Sequence, residues 1–391
     1  MSSTDHDAVA FTRQLVRIRS TADVGEAAVA EAVAVRMRGF GWEPIVQDVA
    51  PGRPNVVAVL DGGGGPGPTL MLEGHTDVVT EGHEAAWSVP PYEGVLRNGR
   101  LYGRGAADMK SGLAAILFAA RAVELAGPFP GRLVVAALVD EEGMMAGAKA
   151  FAATPLAAEV TAAMVAEPEG GEICPVAKGA LRVRIDLVGT MAHGAMPEQG
   201  RNPLPAAAHL LAALEDYERE LQKEHPRHPH LGQVYLTPTV VNAGSLDQLN
   251  VIPARCTVGI DVRTVPAVEH RTIVDRLTQL AESIGTPPLS THVEVIDDRP
   301  AVDTPLDDPL VTALAAAHES VTGEPARFGG VPGATDGTIL GSRLGIPTVV
   351  YGPGGKWIAH QADEYVDIDD IVTCTEVFAR AARRYLDGSL R

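Results

Sequence analysis

Leu70 to Asp77, L-M-L-E-G-H-T-D, is the stretch of sequence that decides the fold. Its apolar start, Leu70 to Leu72, stops at Gly74, and a His-x-Asp pair follows at once. A short apolar run bounded by glycine is typical of a buried strand, and α/β proteins place their chemistry at the carboxyl ends of such strands. Side chains alternate along a strand, so His75 and Asp77 are expected on the same side. A carboxylate beside a histidine is the usual device that orients a metal-binding imidazole, although a structural or solvated pair is the commoner case for two such residues alone.

Acidic residues follow two further apolar runs of the same kind. Arg132 to Val139 leads directly into D-E-E at 140–142, and Ala162 to Ala166 leads into Glu167. A glycine-rich loop carries Asp108 and opens onto a strongly apolar helix. This alternation of strands and helices predicts an α/β fold in which a mixed, largely parallel sheet is flanked by helices. The loops that bear the polar residues then meet at one edge of the sheet.

The pattern changes at about residue 177, where half-exposed strands replace buried ones. Two segments alternate strictly between apolar and polar residues, and two others have helical spacing. In chain order these segments are 181–188, 203–221, 256–262 and 269–284. Since 391 residues are too many for one ordinary core, two domains are expected. The main domain comprises residues 1–176 and 293–391, and an α+β domain of residues 177–292 is inserted into it.

The glycine-rich segment Asp61 to Pro68 separates the strand-like run at 55–60 from the run at 70–72. It lacks the Lys-Ser/Thr pair of a nucleotide-binding loop and does not open onto a helix, so a hairpin or a loop connection is predicted. The last strand of the chain is expected at Ile346 to Tyr351.

Composition excludes several classes of protein. The net charge of −18 argues against nucleic acid and against an anionic membrane as partners. Three widely spaced cysteines, Cys174, Cys256 and Cys374, provide neither a disulfide framework nor a Cys-rich zinc site. The first residues are polar and acidic, and no apolar run is long enough to span a bilayer, so we expect a cytoplasmic protein.

Five residues are candidate metal ligands, since His, Asp and Glu supply the nitrogen and oxygen donors of many zinc sites. They are His75, Asp108, Glu142, Glu167 and His360. Two metals ~3.5–4 Å apart need a shared ligand, and a carboxylate can bridge where an imidazole cannot. Asp108 is the candidate bridge, with His75 and Glu167 on one metal and Glu142 and His360 on the other. Each metal then keeps an open position for water and substrate.

Glu141, next to Glu142, is suited to a different task. One carboxylate can bind metal while its neighbour takes a proton from the bridging water, whose pKa a metal lowers to ~7. The alternative is that D-E-E forms a solvated acidic turn. Its place at the end of a buried strand favours the catalytic interpretation.

Three residues of the insert and its border have both a functional and a structural interpretation. His193, in G-T-M-A-H-G-A-M-P, is either a structural loop residue or an oxyanion donor that arrives from another domain or subunit. Arg263 and Arg299 can each clamp a substrate carboxylate through a bidentate contact, or can form a salt bridge at the surface or between strands.

The ordered motifs of the chain resemble one known family. These motifs are G-H-T-D-V-V, G-R-G-A-A-D-M-K-S-G, D-E-E-G, A-E-P-E, G-T-M-A-H-G-A-M-P-E-Q-G-R-N-P, N-V-I-P-A-R-C and H-Q-A-D-E-Y-V-D-I-D-D. In order and spacing they resemble the dizinc amidohydrolases and exopeptidases, which include acetylornithine deacetylase, succinyl-diaminopimelate desuccinylase and bacterial glutamate carboxypeptidase. The similarity runs from about Pro54 to Asp370.

The resemblance implies a zinc-exopeptidase-like catalytic domain and gives each candidate a role. His75 and Glu167 match the ligands of the first zinc, and Glu142 and His360 those of the second. Asp108 matches the bridging carboxylate, in a loop that often has a cis peptide after this residue. Asp77 matches the residue that orients His75, and Glu141 matches the general base. An aspartate at the bridge, instead of cysteine, favours the zinc members of the family.

For the insert, the resemblance implies a lid that also joins two subunits. His193 matches the lid histidine that reaches into the partner's active site, so a homodimer is expected. Asn250 falls in the N-V-I-P segment of the lid and is a candidate substrate contact. Gly333 and Thr335 lie in P-G-A-T-D-G, which resembles a loop near the substrate carboxylate, although Ala334 stands where glycine is common.

The sequence thus predicts a cytoplasmic hydrolase with two Zn²⁺ ions, for which Co²⁺ or Mn²⁺ can substitute. The expected substrate is a small N-acyl amino acid or dipeptide-like molecule, cleaved at its amide in the manner of a deacetylase or desuccinylase. A glutamate carboxypeptidase-like exopeptidase or a dipeptidase is the alternative within the enzymes. A catalytically silent binding homologue is the alternative outside them, against which the complete set of ligand positions counts.

Overall fold

The protein is described by a computed structural model that covers residues 3–285 and 289–388. Its α-helices are α1 (Ser3–Val16), α2 (Ala27–Gly39), α3 (Ser111–Leu125), α4 (Ala146–Phe151), α5 (Leu204–Glu224), α6 (His270–Ile284), α7 (Pro309–Thr322), α8 (Asp336–Leu344) and α9 (Ile368–Leu386).

The strands of the described residues are β1 (Ile45–Ala50), β2 (Arg53–Asp61), β3 (Thr69–His75), β4 (Val95–Arg97), β5 (Arg100–Tyr102), β6 (Arg132–Leu138), β7 (Ala162–Val165), β8 (Glu172–Ala177), β9 (Gly179–Val188), β10 (Ala192–His193), β11 (Tyr235–Ala243), β12 (Val251–Ile252), β13 (Arg255–Thr264), β14 (Ser290–Arg299), β15 (Val302–Asp303), β16 (Arg327–Val331), β17 (Thr348–Val350) and β18 (Tyr365–Asp367).

Two compact units make up the chain. The first comprises Met1–Val176, Val302–Val331 and Thr335–Arg391, and the second comprises Ala177–Ala301 and Pro332–Ala334. The predicted domain border at residue 292 falls inside β14, which pairs with β9 of the second unit along its length. The roles expected of the second unit, as a lid and as a dimerisation domain, stay predictions.

A mixed sheet with a parallel centre forms the frame of the first unit. Its strand order is β1-β2-β6-β3-β7-β17-β8-β15, with β16 paired to β8. The four central strands, β6, β3, β7 and β17, run parallel. Every residue of β3 is buried, as expected for a strand covered on both faces. The predicted α/β class is confirmed.

Helices cover this sheet because its strands are apolar on both faces. Leu70 and Leu72 belong to the main core, to which α1, α2, α3, α7 and α9 also contribute. Met71, between them, points to the other face. Outside the main core, α4 and α8 contact each other and the sheet.

Capping residues fix the ends of helices α7 and α8. At the start of α7, Asp308 accepts a hydrogen bond from the Leu310 N–H, and Pro309 follows at the first helical position. Thr335 caps α8 in the same way by accepting from the Gly337 N–H. Gly323 and Gly345, with φ of 72° and 66°, end these two helices in the left-handed region that favours glycine.

The second unit is built on a four-stranded antiparallel sheet of order β11-β13-β9-β14. Alternate residues of β13 are buried, which agrees with the alternation read from the sequence. Helices α5 and α6 contact this sheet and each other. The buried residues of α6 recur at helical spacing, at His270, Ile273, Leu277 and Ala281.

Two local expectations gain detail from the structure. Residues 62–68 connect β2 to β3 as a loop and not as a hairpin turn, because β6 lies between these two strands. The expectation that 346–351 is the last strand is wrong, since β18 follows β17. With only three residues, β18 is too short for a periodic signal, and it is fixed by pairing with β5 in a separate sheet. No helix among residues 3–285 and 289–388 is long and apolar enough to cross a membrane.

Candidate metal centre

His75, the last residue of β3, lies at the centre of a first ligand group formed by His75, Asp108 and Glu167. The imidazole Nε2 is 3.1 Å from Asp108 Oδ1 and 3.6 Å from Glu167 Oε1. On the other side of the ring, Nδ1 lies 3.0 Å from the main-chain oxygen of Asp77. A proton on Nδ1 satisfies that oxygen and leaves the Nε2 lone pair free for a metal ion.

Asp108, Glu142 and His360 form a second ligand group. The Nε2 atom of His360 lies 2.9 Å from Glu142 Oε1 and 3.3 Å from Asp108 Oδ2. Asp108 therefore turns one oxygen to each histidine, which is the arrangement a bridging carboxylate needs. The peptide bond that follows Asp108 is cis, as the family resemblance implies.

The donor set of both groups fits divalent cations. Within each group the potential ligand atoms lie within 4.8 Å of one another, and all are imidazole nitrogens or carboxylate oxygens. Such donors suit zinc and other first-row divalent metals. The chain separates the members widely along its length, so it is the fold that brings together the five residues predicted as ligands.

Electrostatic interactions among these groups shift their pKa values. Burial alone lowers the pKa of His75, but Glu167 and Asp108 outweigh it and raise that pKa well above its usual value. Hydrogen bonds to Asp108 and Glu142 raise the pKa of His360 to about 10. Burial opposes ionisation of Asp108, yet the hydrogen bonds from the two histidines hold its pKa below the usual range. The groups thus form a dense set of opposite charges.

Glu141 is buried beside the two ligand groups. Burial, with a further contribution from the charge of Glu142, raises the pKa of its carboxyl well above the usual value. The backbone of this turn is fixed by Asp77, whose Oδ1 and Oδ2 accept hydrogen bonds from the N–H groups of Glu141 and Glu142, at 3.1 and 3.0 Å. Asp77 therefore contacts both the His75 segment and the D-E-E turn, whereas the sequence predicted only the first contact.

A row of three charged residues at the D-E-E turn was not predicted from the sequence. Arg53 lies 2.9 Å from Glu26 Oε1 on one side and forms an ion pair with Asp140 on the other. Asp140 has a φ of 66° and accepts hydrogen bonds from the N–H groups of Met144 and Ala146. Glu26 has no exposed surface. Its only signal in the sequence is an acidic residue ahead of an apolar helix.

The loop that carries Asp108 is held by Glu364, another residue that sequence reasoning missed. One carboxylate oxygen of Glu364 accepts the N–H groups of Ala107 and Asp108, at 2.9 and 3.0 Å. The other oxygen pairs with Arg104 at 2.5 Å, and Arg104 also donates to the main-chain oxygen of His360. Both charged side chains are almost fully buried. The signal was the E of H-Q-A-D-E, four residues after His360.

Glu73, inside the apolar run of β3, faces a second buried carboxyl, that of Asp336. Burial and the charge of Asp336 raise the pKa of Glu73 well above its usual value. Asp336 is the first residue of α8, in the P-G-A-T-D-G segment. An acidic residue within a buried strand is itself a signal, because an unpaired charge there is costly.

A third cluster of potential ligands lies near the end of β7 and is formed by Glu169, Glu172 and Cys174. Here the chain supplies its own cation. The Lys356 Nζ atom lies 2.5 Å from Glu169 Oε2 and 3.5 Å from Glu172 Oε2.

In the second unit the structure brings His193 and Asn250 together. The short strands β10 and β12 pair His193 with Val251, and the Gly194 N–H donates to the Asn250 main-chain oxygen at 2.7 Å. His193 is exposed, and its Nδ1 accepts a hydrogen bond from the Ala195 N–H at 3.0 Å. A neutral ring in this arrangement carries its proton on Nε2.

Arg263 and Arg299 flank Ala180 on neighbouring strands, in one row of the sheet. Arg263 makes a two-pronged contact with Asp261, at 2.8 and 3.1 Å. Arg299 is buried and lies 2.5 Å from Asp297. Both arginines thus take part in ion pairs within the sheet, and their role as substrate clamps stays a prediction.

Gly333 and Thr335 fall on either side of the border between the units. Thr335 is buried and caps α8, so it has a structural function whatever its part in substrate binding. A Cβ atom at Gly333 would meet no atom of the described residues within 4 Å, apart from its chain neighbours. Their contacts with substrate stay predictions.

Two ligand groups that share one carboxylate, with a buried glutamate beside them, are the arrangement expected of a metal-dependent hydrolase. Comparison with known proteins agrees with this class. The chain belongs to peptidase family M20/M25/M40, whose family model matches residues 71–384. Proteins of this family hydrolyse amide bonds, so the chain is a metal-dependent amide hydrolase. The family and the enzyme class predicted from the sequence are confirmed.

Two curated relatives cover nearly the whole chain. It is 31% identical to the acetylornithine deacetylase of Myxococcus xanthus over 365 residues, which are 90% of this chain and 89% of that protein. It is 29% identical to the succinyl-diaminopimelate desuccinylase of Rhodospirillum centenum over 396 residues, 98% of each chain. Among solved structures, a dinuclear metal binding peptidase of the M20 family from Bacillus subtilis has a TM-score of 0.75 at 18% identity, with 98% of this chain and 99% of that chain covered.

Proposed function

We propose that the protein is a dizinc enzyme that hydrolyses the amide bond of an N-acyl amino acid. The observation that carries this proposal is Asp108, which offers one carboxylate oxygen to each of two histidines. The relatives named as a deacetylase and a desuccinylase support an acylated amino acid as the substrate.

Residues of this chain account for the steps of the reaction. Zinc held by His75, Asp108 and Glu167 and by Glu142 and His360 would supply a Lewis acid that polarises the amide carbonyl and lowers the pKa of water to ~7. Glu141 would take a proton from the attacking water, whose oxygen bonds to the carbonyl carbon, and would pass that proton to the nitrogen of the leaving amine as the C–N bond breaks. The raised pKa of Glu141 suits a group that must accept a proton and release it again. Asp77 keeps Glu141 in place through its backbone N–H.

His193 is the proposed donor to the oxyanion of the tetrahedral intermediate. Its Nδ1 already accepts from the Ala195 N–H, so Nε2–H is the free donor of the neutral ring. We infer that it serves the active site of a partner subunit, in a homodimer joined through the second unit. The exposed apolar residues along β11, such as Val240 and Val241, support such an interface.

We propose that polar groups of the second unit and of the P-G-A-T-D-G segment recognise the substrate. Asn250, beside His193, is a candidate contact to the acyl or carboxylate oxygens. Arg263 and Arg299 are candidates for the substrate carboxylate, which would join ion pairs that already exist with Asp261 and Asp297. Gly333 and Thr335 complete the proposed set.

The proposal is tested with metal-stripped protein and a panel of substrates. N-acetyl and N-succinyl amino acids are compared with free-amine dipeptides and with acyl-glutamates, first without metal and then with Zn²⁺, Co²⁺ or Mn²⁺ titrated back. We expect hydrolysis only after metal is added, with N-acyl amino acids preferred. Preference for dipeptides or acyl-glutamates would instead indicate an exopeptidase. Two bound ions without turnover on any substrate would keep the metal site but reject this substrate class, and the absence of metal binding would overturn the proposal.

A further inference from the structure

Lys356 lies four residues before His360 in the segment G-P-G-G-K-W-I-A-H. Its Nζ atom donates to Glu169 Oε2 at 2.5 Å and to the main-chain oxygen of Gly330 at 3.3 Å. The Glu169 side chain is 3% exposed and also accepts from the Cys174 thiol at 3.3 Å. A positive charge stabilises a carboxylate this deeply buried, and Lys356 supplies that charge.

Backbone contacts join the same two segments. The Gly170 N–H donates to the Gly354 main-chain oxygen at 2.7 Å, and Glu169 and Gly355 form an isolated β-bridge. The Trp357 ring packs over Gly170, where a Cβ atom would come within 2.9 Å of it. The segment that leads to His360 therefore packs against the segment that follows Glu167.

The two ligand groups depend to different degrees on these contacts between the two segments. In the first group, His75 ends β3, and the N–H of Ala166, next to Glu167, donates to the main-chain oxygen of Glu73. Two of its three ligands, His75 and Glu167, are thus fixed by the central sheet, and Asp108 is shared with the second group. In the second group His360 stands outside any helix or strand, with a φ of 66°.

We propose that Lys356 is a positioning residue, whose ion pair with Glu169 holds the His360 segment in place and so sets the affinity of the second ligand group for its ion. This inference rests on the proposed function, because it assumes two bound ions. Partners that orient a metal ligand change metal affinity by ~10–100-fold when removed. Lys356 acts on the ligand through the backbone and touches no reacting atom.

The first experiment measures ion binding without substrate. Metal-stripped protein is titrated with Co²⁺ and followed by calorimetry and visible absorption. In Lys356→Met we expect the second ion to bind ~10–100-fold more weakly and the first ion to bind as in the unchanged protein. His360→Ala marks complete loss of the second ion. Lys223→Met, the same substitution at an exposed position of α5, is the control and is expected to bind both ions normally.

A second variant separates positioning from stability. Lys356→Met alone leaves the Glu169 carboxylate buried without its partner, which lowers the melting temperature. Lys356→Met combined with Glu169→Met removes both charges, and such exchanges commonly restore stability. If Lys356 positions His360, the double variant regains its melting temperature while the second ion stays weakly bound. If both recover together, Lys356 is only structural and the proposal is overturned.

The remaining outcomes are also decisive. Second-ion affinity within twofold of normal in Lys356→Met, or equal weakening of both ions, overturns the positioning role and leaves the proposed function intact. A single ion bound by the unchanged protein overturns both. Two ions bound with none of the panel substrates hydrolysed rejects the substrate class alone, and the Lys356 comparison is then read from the Co²⁺ titration as before.

Discussion

Glu141 and Glu142 are neighbours in the chain, yet the fold gives their carboxyl groups different surroundings. Glu142 lies 2.9 Å from His360, whereas Glu141 is buried and has a pKa raised by that burial. A carboxylate that is within reach of the site but is not a ligand can move protons. Asp77 accepts hydrogen bonds from both backbone N–H groups and so fixes the backbone of the turn that carries the two carboxyl groups.

Exchange of Glu141 for glutamine is therefore expected to stop turnover without loss of metal. Glutamine has nearly the same shape but cannot accept the water proton, so kcat should fall by ~10²–10⁴-fold. Metal analysis should still find two ions per chain. Glu31→Gln, at an exposed position of α2, is the matched control and should retain full activity. Normal turnover in Glu141→Gln would remove this residue as the base.

Glu26 predicts a pH dependence of stability. Burial raises its pKa to about 7 from an ordinary value of 4.5, with Asp77 and Asp140 opposing ionisation and Arg53 favouring it. The folded protein thus keeps a proton that the unfolded chain has released. Between pH 4.5 and 7 the free energy of unfolding should fall as pH rises, by about 3 kcal/mol in all.

The test compares the unchanged protein with Glu26→Gln across this range. As pH rises through this range, the melting temperature of the unchanged protein should fall relative to that of Glu26→Gln. The difference between the two should level off above about pH 7. Their common metal dependence cancels in that difference. Parallel curves at all pH values would show that Glu26 does not titrate in this way.

At the scale of elements, the site depends on how closely α3 approaches the end of β7. A Cβ atom on Gly112 of α3 would lie 1.9 Å from the main-chain oxygen of Ala166, immediately before Glu167. Only glycine allows this contact. The helix thereby supports the segment that carries a ligand of the first group.

Gly112→Ala should therefore destabilise the protein and disturb the first ligand group. Overpacking of this kind costs ~1–3 kcal/mol, and displacement of Ala166 should weaken first-ion binding. Gly39→Ala is the matched control, because a Cβ there would meet no atom of the described residues within 4 Å beyond its neighbours and its own helix backbone, and its φ is not in the left-handed region. It should stabilise the protein by ~0.4–1 kcal/mol. Thermal unfolding and Co²⁺ titration measure both effects, and an unchanged Gly112→Ala would contradict the packing argument.

At the scale of the whole molecule, the proposed homodimer makes catalysis depend on assembly. The second unit has two edge strands, β11 and β14, and both expose apolar side chains. Our proposal assigns the interface to this unit, whose His193 would then serve a partner's metal centre. Activity should be lost when subunits separate, even though each keeps its own ligand groups.

Val241→Lys on β11 is expected to shift the protein from dimer to monomer, because a charge cannot be desolvated at an apolar interface without cost. Sedimentation measures the mass, and metal analysis should still find two ions per chain while kcat falls. Val295→Lys on β14, at the opposite edge of the same sheet, is the comparison. Whichever of the two variants becomes monomeric identifies the edge strand that forms the subunit interface. A monomeric unchanged protein with full activity would refute the proposed assembly.

Much of this molecule is readable from its sequence because the signals are local. Apolar runs ended by Gly74 or by an acidic residue mark buried strands. The period of two at 181–188 predicts a half-exposed strand, whereas no residue of β9 is exposed, because this strand lies between β13 and β14. The candidate ligands stand at strand ends or in glycine-rich loops, so the sequence alone predicts them, and their role as ligands stays a prediction. Short elements such as β18 escaped because three residues carry no periodicity.

Only the tertiary structure decided which charged groups meet. Lys356 and Glu169 are 187 residues apart, and Glu364 and Ala107 are 257 apart. Such pairs leave no pattern along the chain, because burial creates the need for a partner and topology chooses it. The sequence by itself determined the chemistry available at the sheet edge. The fold determined its arrangement, since only packing brings distant segments close enough for buried charges to pair.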